Sequence, residues 1–186
     1  MDPFEFIMVL VSIIMGLGIA TLLRGVVRSL RPDTTTTPGL VHAIWIVWVF
    51  VMPWAPGGGR WAIADHPIWT FWDLLSLLLV PILLFALAEL AFPLGDTQTN
   101  LTDYLHEVGG RFFPVVATLM LAIVWSSISL VGSPLDHFLN PVVGTAGVVF
   151  LVLTWVANRR AHFAGAVLIL LTTLIVYSQQ LTIAAR

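Results

Sequence analysis

Apolar and polar positions follow one another along this chain as six long apolar blocks separated by short polar breaks. The apolar blocks cover residues 4–23, 40–55, 68–92, 112–131, 141–157 and 163–181. Most approach the roughly 20 residues that a helix needs to cross a hydrocarbon core about 30 Å thick. A stretch such as 77–88 is apolar on every face, unlike the alternating strands of a membrane β-barrel. The pattern therefore predicts an all-α fold, an integral membrane bundle of six transmembrane helices.

Composition supports the same fold class. Hydrophobic residues make up 59% of the 186 residues and charged residues only 10%, with a mean hydropathy of +0.98. A soluble domain is usually about 25% charged. Cysteine is absent, which excludes disulfides and thiolate metal sites. The breaks leave no room for a second domain, so we expect residues 1–186 to form a single transmembrane domain.

The basic residues predict the orientation of the chain, because all eight are arginines. At one side of a six-helix zigzag lie Arg24, Arg28, Arg31, Arg111, Arg159 and Arg160. The other side has only Arg60 and Arg186. Since basic loops stay in the cytoplasm, this bias predicts that these six arginines are cytoplasmic and that both termini are outside, which is the periplasm if the host is Gram-negative. If the short second block were re-entrant, every later block would be inverted.

Small residues in the first block predict a packing surface. Ser12, Gly16 and Ala20 are spaced by four, so they form a shallow groove in which another helix backbone can approach closely. We expect this stripe to be a buried packing face inside the bundle. The alternative is a face between two copies of the chain, which would make the protein a homo-oligomer.

Two carboxylates lie within the third block, where charge is costly and is usually paired or wet. Asp73 and Glu89 are sixteen positions apart, which is about 24 Å along a helix and roughly 160° around it. They cannot share one site. The predicted topology puts Glu89 at the depth of Arg24 and Arg28, and we expect an ion pair between Glu89 and Arg24 that serves as structural glue.

Polar residues are concentrated in the outer half of the predicted bundle. The candidates for an outward-facing vestibule are Glu5, Asp73, Ser126, Ser127, Tyr177 and Gln179. If their helix faces converge, Asp73 and Glu5 would attract a cation. The competing interpretation is that the hydroxyls hydrogen bond to carbonyls four residues earlier in their own helices.

Two histidines are the candidates for cofactor binding. His42 and His162 begin the second and sixth blocks on the predicted cytoplasmic side, and a membrane haem needs two axial ligands that face each other. A single histidine could instead ligate the magnesium of a chlorin pigment. The simpler interpretation is a pair of interfacial histidines, so no cofactor is favoured, and no metal site is predicted.

The start of the chain resembles a family of small multi-pass bacterial membrane proteins known mainly as hypothetical sequences. The resemblance rests on Phe-Glu-Phe at 4–6, Val-Ser-Ile-Ile at 11–14 and Gly-Leu-Gly-Ile-Ala at 16–20, and extends to the Trp-rich second block and to Phe92-Pro93. It covers about the first half of the chain. The family has no known activity, so the resemblance implies the membrane architecture alone.

The chain contains no HExxH, Gly-x-Ser-x-Gly or Walker A motif, and we expect no enzymatic activity. The leading interpretation is an accessory or assembly subunit of a bacterial inner membrane that packs against other integral membrane proteins, with a bioenergetic complex as one setting. The alternatives are a small cation channel or transporter that uses the vestibule, and a haem- or pigment-binding membrane protein. The expected partners are the lipid bilayer and other membrane proteins, with no nucleic acid.

Overall fold

The computed structural model describes residues 3–31, 37, 39–52, 69–93, 100–131, 139–156 and 158–184. Over these residues the chain forms seven α-helices, with one β-bridge between Thr37 and Asn100. The helices are α1 (Pro3–Ser29), α2 (Leu40–Val51), α3 (Phe71–Leu90), α4 (Leu101–Glu107), α5 (Gly109–Val131), α6 (Leu139–Leu153) and α7 (Arg159–Ala184). The all-α prediction is confirmed for the described part of the chain.

Four of the described helices are long and apolar enough to cross a membrane, where the sequence predicted six. They are the helices α1, α3, α5 and α7. Helix α2 has 12 residues and α6 has 15, so their axes measure about 18 and 22 Å, against about 30 Å of hydrocarbon. The prediction is corrected for a physical reason: an apolar block reports composition, but a helix spans only the length over which it remains helical. In the second block the helix ends at Val51, before Pro53.

The helices run up and down, so that their ends collect at two poles. At one pole, the Leu101 amide donates to the Thr37 carbonyl at 3.1 Å, and Arg159 pairs with Asp103 at 2.6 Å. We call this pole the arginine end; it holds Arg24, Arg28, Arg31, Arg111, Arg159 and Arg160. At the opposite end, the Tyr177 hydroxyl donates to the Val51 carbonyl at 2.8 Å. The separation of the six arginines from the other pole follows the sequence prediction.

Helix α3 packs between α1 and α5. Helix α5 also packs on α6, α6 packs on α7, and α7 packs on α2. Helix α1 is at the edge of this arrangement, since it packs almost entirely on α3 and only lightly on α2. The residues of α1 that are buried, Ile7, Val11 and Leu22 among them, lie on the side that faces α3. Within the described part of the chain, the opposite side of α1, which includes Ser12, Gly16 and Ala20, is exposed.

The outer surface of the bundle is largely apolar. Phe6 and Leu17 on α1, Trp72 on α3 and Leu174 on α7 are each more than half exposed. Apolar surface of this extent is unfavourable in water but is suited to lipid, where no hydrophobic penalty applies. The apolar composition of the helices and the apolar outer surface of the bundle both indicate that these helices are suited to a membrane.

The contact between Gly25 of α1 and the ring of Phe92, which follows α3, gives a test of the α1–α3 packing. An added Cβ at Gly25 would overlap the Phe92 ring, whereas an added Cβ at Gly16 meets nothing within 4 Å. We expect Gly25→Ala to lower the stability in detergent by about 1–3 kcal/mol, the usual cost of overpacking. Gly16→Ala, in the same helix, should be neutral or stabilising. Equal unfolding midpoints for the two variants would contradict this packing.

Candidate functional site

His42 is buried at the arginine end and is bound to the end of α3. Its side chain is only 3% exposed, and its Nε2 lies 2.8 Å from the Ala91 carbonyl oxygen. A carbonyl can only accept, so Nε2 carries the proton and donates. The Phe92 ring packs edge-on against the imidazole, with ring centroids 5.1 Å apart. His42 thus fastens the first turn of α2 to α3.

His162 is buried in a separate contact with His106 of α4. Its Nε2 lies 2.9 Å from the Val156 carbonyl, so Nε2–H donates there, and the neutral ring accepts at Nδ1. The Nδ1 atoms of His106 and His162 are 2.9 Å apart, which makes His106 the donor. Phe113 covers the other side, at 4.7 Å between ring centroids. Both nitrogens of His162 therefore have hydrogen-bond partners.

The structure gives the two predicted haem ligands different environments. His42 hydrogen bonds to the Ala91 carbonyl, whereas His162 hydrogen bonds to His106 and to the Val156 carbonyl. Each histidine thus makes contacts with its own surroundings. A haem iron between them would have to displace a hydrogen bond of His162. Haem or pigment binding by these residues stays a prediction, and the contacts that are present are structural.

Helix α4 is held against the bundle by several polar contacts besides the histidine pair. The Tyr104 hydroxyl donates to the Phe92 carbonyl at 3.1 Å, and Asp103 pairs with Arg159. Burial raises the pKa of Tyr104, the negative charge of Glu107 raises it further, and Arg111 opposes both. The phenol thus stays protonated and keeps its donor. The polar break between the third and fourth apolar blocks thus contains a docked helix in its described part.

The acidic members of the predicted vestibule lie near the opposite end. Asp73 closes a capping box at the start of α3: its Oδ2 accepts from the Thr70 amide at 2.9 Å and from the Thr70 hydroxyl at 2.7 Å. Such a box satisfies backbone donors that the first helical turn leaves unpaired. Glu5 is exposed on α1. For Asp73 the geometry thus shows a capping role.

The hydroxyl members of the predicted vestibule are mostly engaged with backbone carbonyls. Ser126 donates to the Ser76 carbonyl at 3.1 Å and Tyr177 to that of Val51 at 2.8 Å. Ser127 is half-buried, and the side chain of Gln179 lies outside the described residues. Both carbonyls belong to other helices, so Ser126 and Tyr177 follow neither the own-helix interpretation nor the picture of a hydrated vestibule, and each joins two helices. A vestibule built by all six residues stays a prediction.

An apolar cavity of about 220 Å³ lies beside Tyr177 in the same half of the bundle. Its walls are mainly aliphatic and methionine side chains, including Met15, Met52 and Met120. Thr172 and Thr173 also line it, but each donates its hydroxyl to the carbonyl four residues earlier, at 2.9 and 2.7 Å. A cavity of this composition does not attract a cation.

A more polar cavity, of about 210 Å³, lies between α1 and α3 at the arginine end. It is lined by Arg24, Arg28 and Glu89 among others. The Glu89 carboxylate accepts a hydrogen bond from the Thr21 hydroxyl at 3.2 Å. Glu89 and Arg24 thus line one cavity, and the ion pair predicted between them stays a prediction.

The small-residue stripe of α1 lies on the outside of the bundle, which corrects the prediction of an internal packing face. Ser12, Gly16 and Ala20 are all exposed. The glycine that contacts the neighbouring helix is Gly18, where an added Cβ would lie 3.4 Å from the Phe85 Cα. The reason is rotational: Gly18 is two residues from Gly16 and therefore about 160° away around the helix. The alternative, a face between proteins, stays a prediction.

Sequence reasoning missed several contacts that the fold creates. His106 lies in the polar break between two apolar blocks, yet Leu101 and Leu105 are buried on one side of α4, and their apolar spacing is a signal for a docked helix. The hydrogen bond from the Trp125 indole to the Ser76 hydroxyl, at 3.0 Å, joins α3 to α5. No local signal in the sequence pairs these two residues.

No family model, curated protein or solved structure matches this chain. The resemblance of its first half to hypothetical bacterial membrane proteins therefore stays a prediction. The features of the chain that bear on its function are the exposed stripe of α1, the two cavities and the charges at the arginine end.

The histidine pair can be tested with a double-mutant cycle. We expect His106→Leu and His162→Leu each to destabilise the protein, with a coupling of about 0.5–1.5 kcal/mol, the usual net value of a hydrogen bond. Unfolding in detergent provides the measurement. His162→Leu with Tyr177→Phe, at the two ends of α7, is the control pair and should be additive. A coupling no larger than that of the control would contradict the contact.

Proposed function

We propose that this protein is a non-enzymatic accessory or assembly subunit of a bacterial inner membrane, which packs against other integral membrane proteins. One observation carries the proposal: Ser12, Gly16 and Ala20 form an exposed groove of small residues on a helix at the edge of the bundle. Lipid tails are as apolar as leucine, so close backbone approach at small residues drives helix association in membranes.

The chemistry of the groove favours a helix as its occupant. The Ser12 hydroxyl donates to the Met8 carbonyl at 2.7 Å, so the groove has no unsatisfied donor that requires water. Ile13 and Leu17 beside it are each more than half exposed and form apolar ridges. A groove between such ridges accepts the side chains of a second helix.

The proposed topology puts the arginine end in the cytoplasm. Four helices span the bilayer by length, and the two shorter apolar helices, α2 and α6, pack against them. Six arginines at one pole support this orientation under the positive-inside rule. Both termini are then outside.

The partner face is tested with substitutions of equal size. We expect Ala20→Leu to fill the groove and lower the amount of co-migrating membrane protein at least about tenfold, equivalent to 1.4 kcal/mol. Ala164→Leu, at another exposed helix alanine, should leave the complex intact. The measurement is a tagged chain extracted gently from its native membrane, followed by native gel and mass spectrometry.

A wild-type chain that migrates alone, without another membrane protein, would contradict the proposal. A homo-oligomer that Ala20→Leu dissociates would place the same face between two copies and would contradict the accessory role.

The orientation is tested by cysteine labelling, because the chain has no cysteine of its own. Glu5 and Glu107 are both exposed and lie toward opposite ends of the bundle. In intact spheroplasts, a membrane-impermeant maleimide should label Glu5→Cys and should reach Glu107→Cys only after the membrane is opened. The reverse pattern would establish the opposite orientation.

A further inference from the structure

The cavity at the arginine end has features of a binding site for a small charged group. Arg24 and Arg28 lie on its α1 side and Glu89 on its α3 side, and Leu101 of α4 also lines it. Arg24 and Glu89 are exposed, so the cavity opens outward. Charges of both signs thus face one space at the pole where the apolar surface of the helices ends.

The hydroxyl groups of this cavity are already committed to the protein. Thr21 donates to Glu89 at 3.2 Å, and Ser29 donates to the Gly25 carbonyl at 2.9 Å. A ligand would therefore receive its hydrogen bonds from the guanidinium groups of Arg24 and Arg28, since each carries five N–H donors and keeps donors for a ligand when one protein contact uses some of them. Glu89 keeps its second carboxylate oxygen as an acceptor. The cavity offers cationic donors at one side and an anionic acceptor at the other.

We propose that this cavity binds the headgroup of a phospholipid that carries a primary ammonium, such as phosphatidylethanolamine. Arg24 and Arg28 hold the phosphodiester, because a guanidinium matches phosphate oxygens in geometry and charge. Glu89 receives the ammonium. A quaternary choline ammonium has no N–H to donate to Glu89, and a glycerol headgroup has no positive charge to offer it. The charge pattern therefore selects the zwitterionic primary amine.

The position and size of the cavity fit a headgroup better than a whole lipid. Its volume of about 210 Å³ is below the roughly 300–1,000 Å³ typical of pockets that enclose drug-sized ligands. The acyl chains would lie along the apolar outside of the bundle. Basic pockets between membrane helices on the cytoplasmic side are known to bind phosphate headgroups. The site needs no partner protein, so it is independent of the proposed accessory role.

Native mass spectrometry of the delipidated full chain tests the proposal. The probes are phosphatidylethanolamine, phosphatidylcholine and phosphatidylglycerol with identical acyl chains. We expect the ethanolamine lipid to bind at least fivefold more tightly than either of the others. Arg24→Gln combined with Arg28→Gln should weaken binding of the ethanolamine lipid about tenfold. Glu89→Gln, which still accepts from Thr21, should remove the preference for ethanolamine over glycerol. Arg160→Gln, an exposed arginine outside the cavity, is the control.

Three results would overturn the proposal. The first is equal binding of the ethanolamine and choline lipids by the wild-type chain, which needs no variant and so does not depend on folding of the variants. The second is an equal effect of the cavity and control substitutions. The third is that soluble glycerophosphoethanolamine competes as strongly as the lipid itself binds, since the ligand would then be a free phosphate ester rather than a membrane lipid.

Discussion

The aromatic contacts of Trp45 hold the arrangement together. Its ring centroid lies 5.2 Å from that of Phe112, 5.8 Å from Phe113 and 5.5 Å from Phe150, so one residue of the short α2 contacts both α5 and α6. Edge-to-face aromatic pairs contribute about 0.5–1.5 kcal/mol each beyond burial. Trp48 lies in the same buried core, and neither indole N–H has a hydrogen-bond partner within the described residues. Among the described residues, the two indoles are therefore held in the core by packing.

With Trp45 fixed, polar contacts at both ends of α2 complete the bundle. His42 binds the end of α3 through the Ala91 carbonyl, and the Val51 carbonyl receives the hydroxyl of Tyr177 from α7. A helix of 12 residues has few backbone hydrogen bonds of its own. Its stability must therefore come from tertiary contacts, and the two hydrogen bonds fix its rotation and depth. The hydrogen bonds of His42 and Tyr177 therefore stabilise the fold.

The sequence predicted what depends on local composition. The all-α class, the long apolar helices and the collection of arginines at one pole follow from apolar runs and from charge position. The face of α1 that packs inward did not follow, because Gly16 and Gly18 are equally small and every side of the helix is apolar. Gly18 faces inward because Phe85 of α3 packs against it. The hydrogen bond between His106 and His162 forms only when α4 packs on the bundle. Such pairings arise from tertiary contacts that leave no periodic signal.

Helix α1 connects the two proposed sites. Ser12, Gly16, Ala20, Arg24 and Arg28 follow one another at intervals of four, and each interval turns about 40° around the helix, so the row winds from the exposed groove toward the cavity at the arginine end. One interval is about 6 Å along the axis. A headgroup held at Arg24 would therefore place its acyl chains beside Ala20, where a partner helix would also pack. Because binding free energies are reciprocal, any effect of the lipid on partner affinity must equal the effect of the partner on lipid affinity. Chains that lie in the groove compete with the partner, whereas chains that lie beside it extend the surface that the partner contacts.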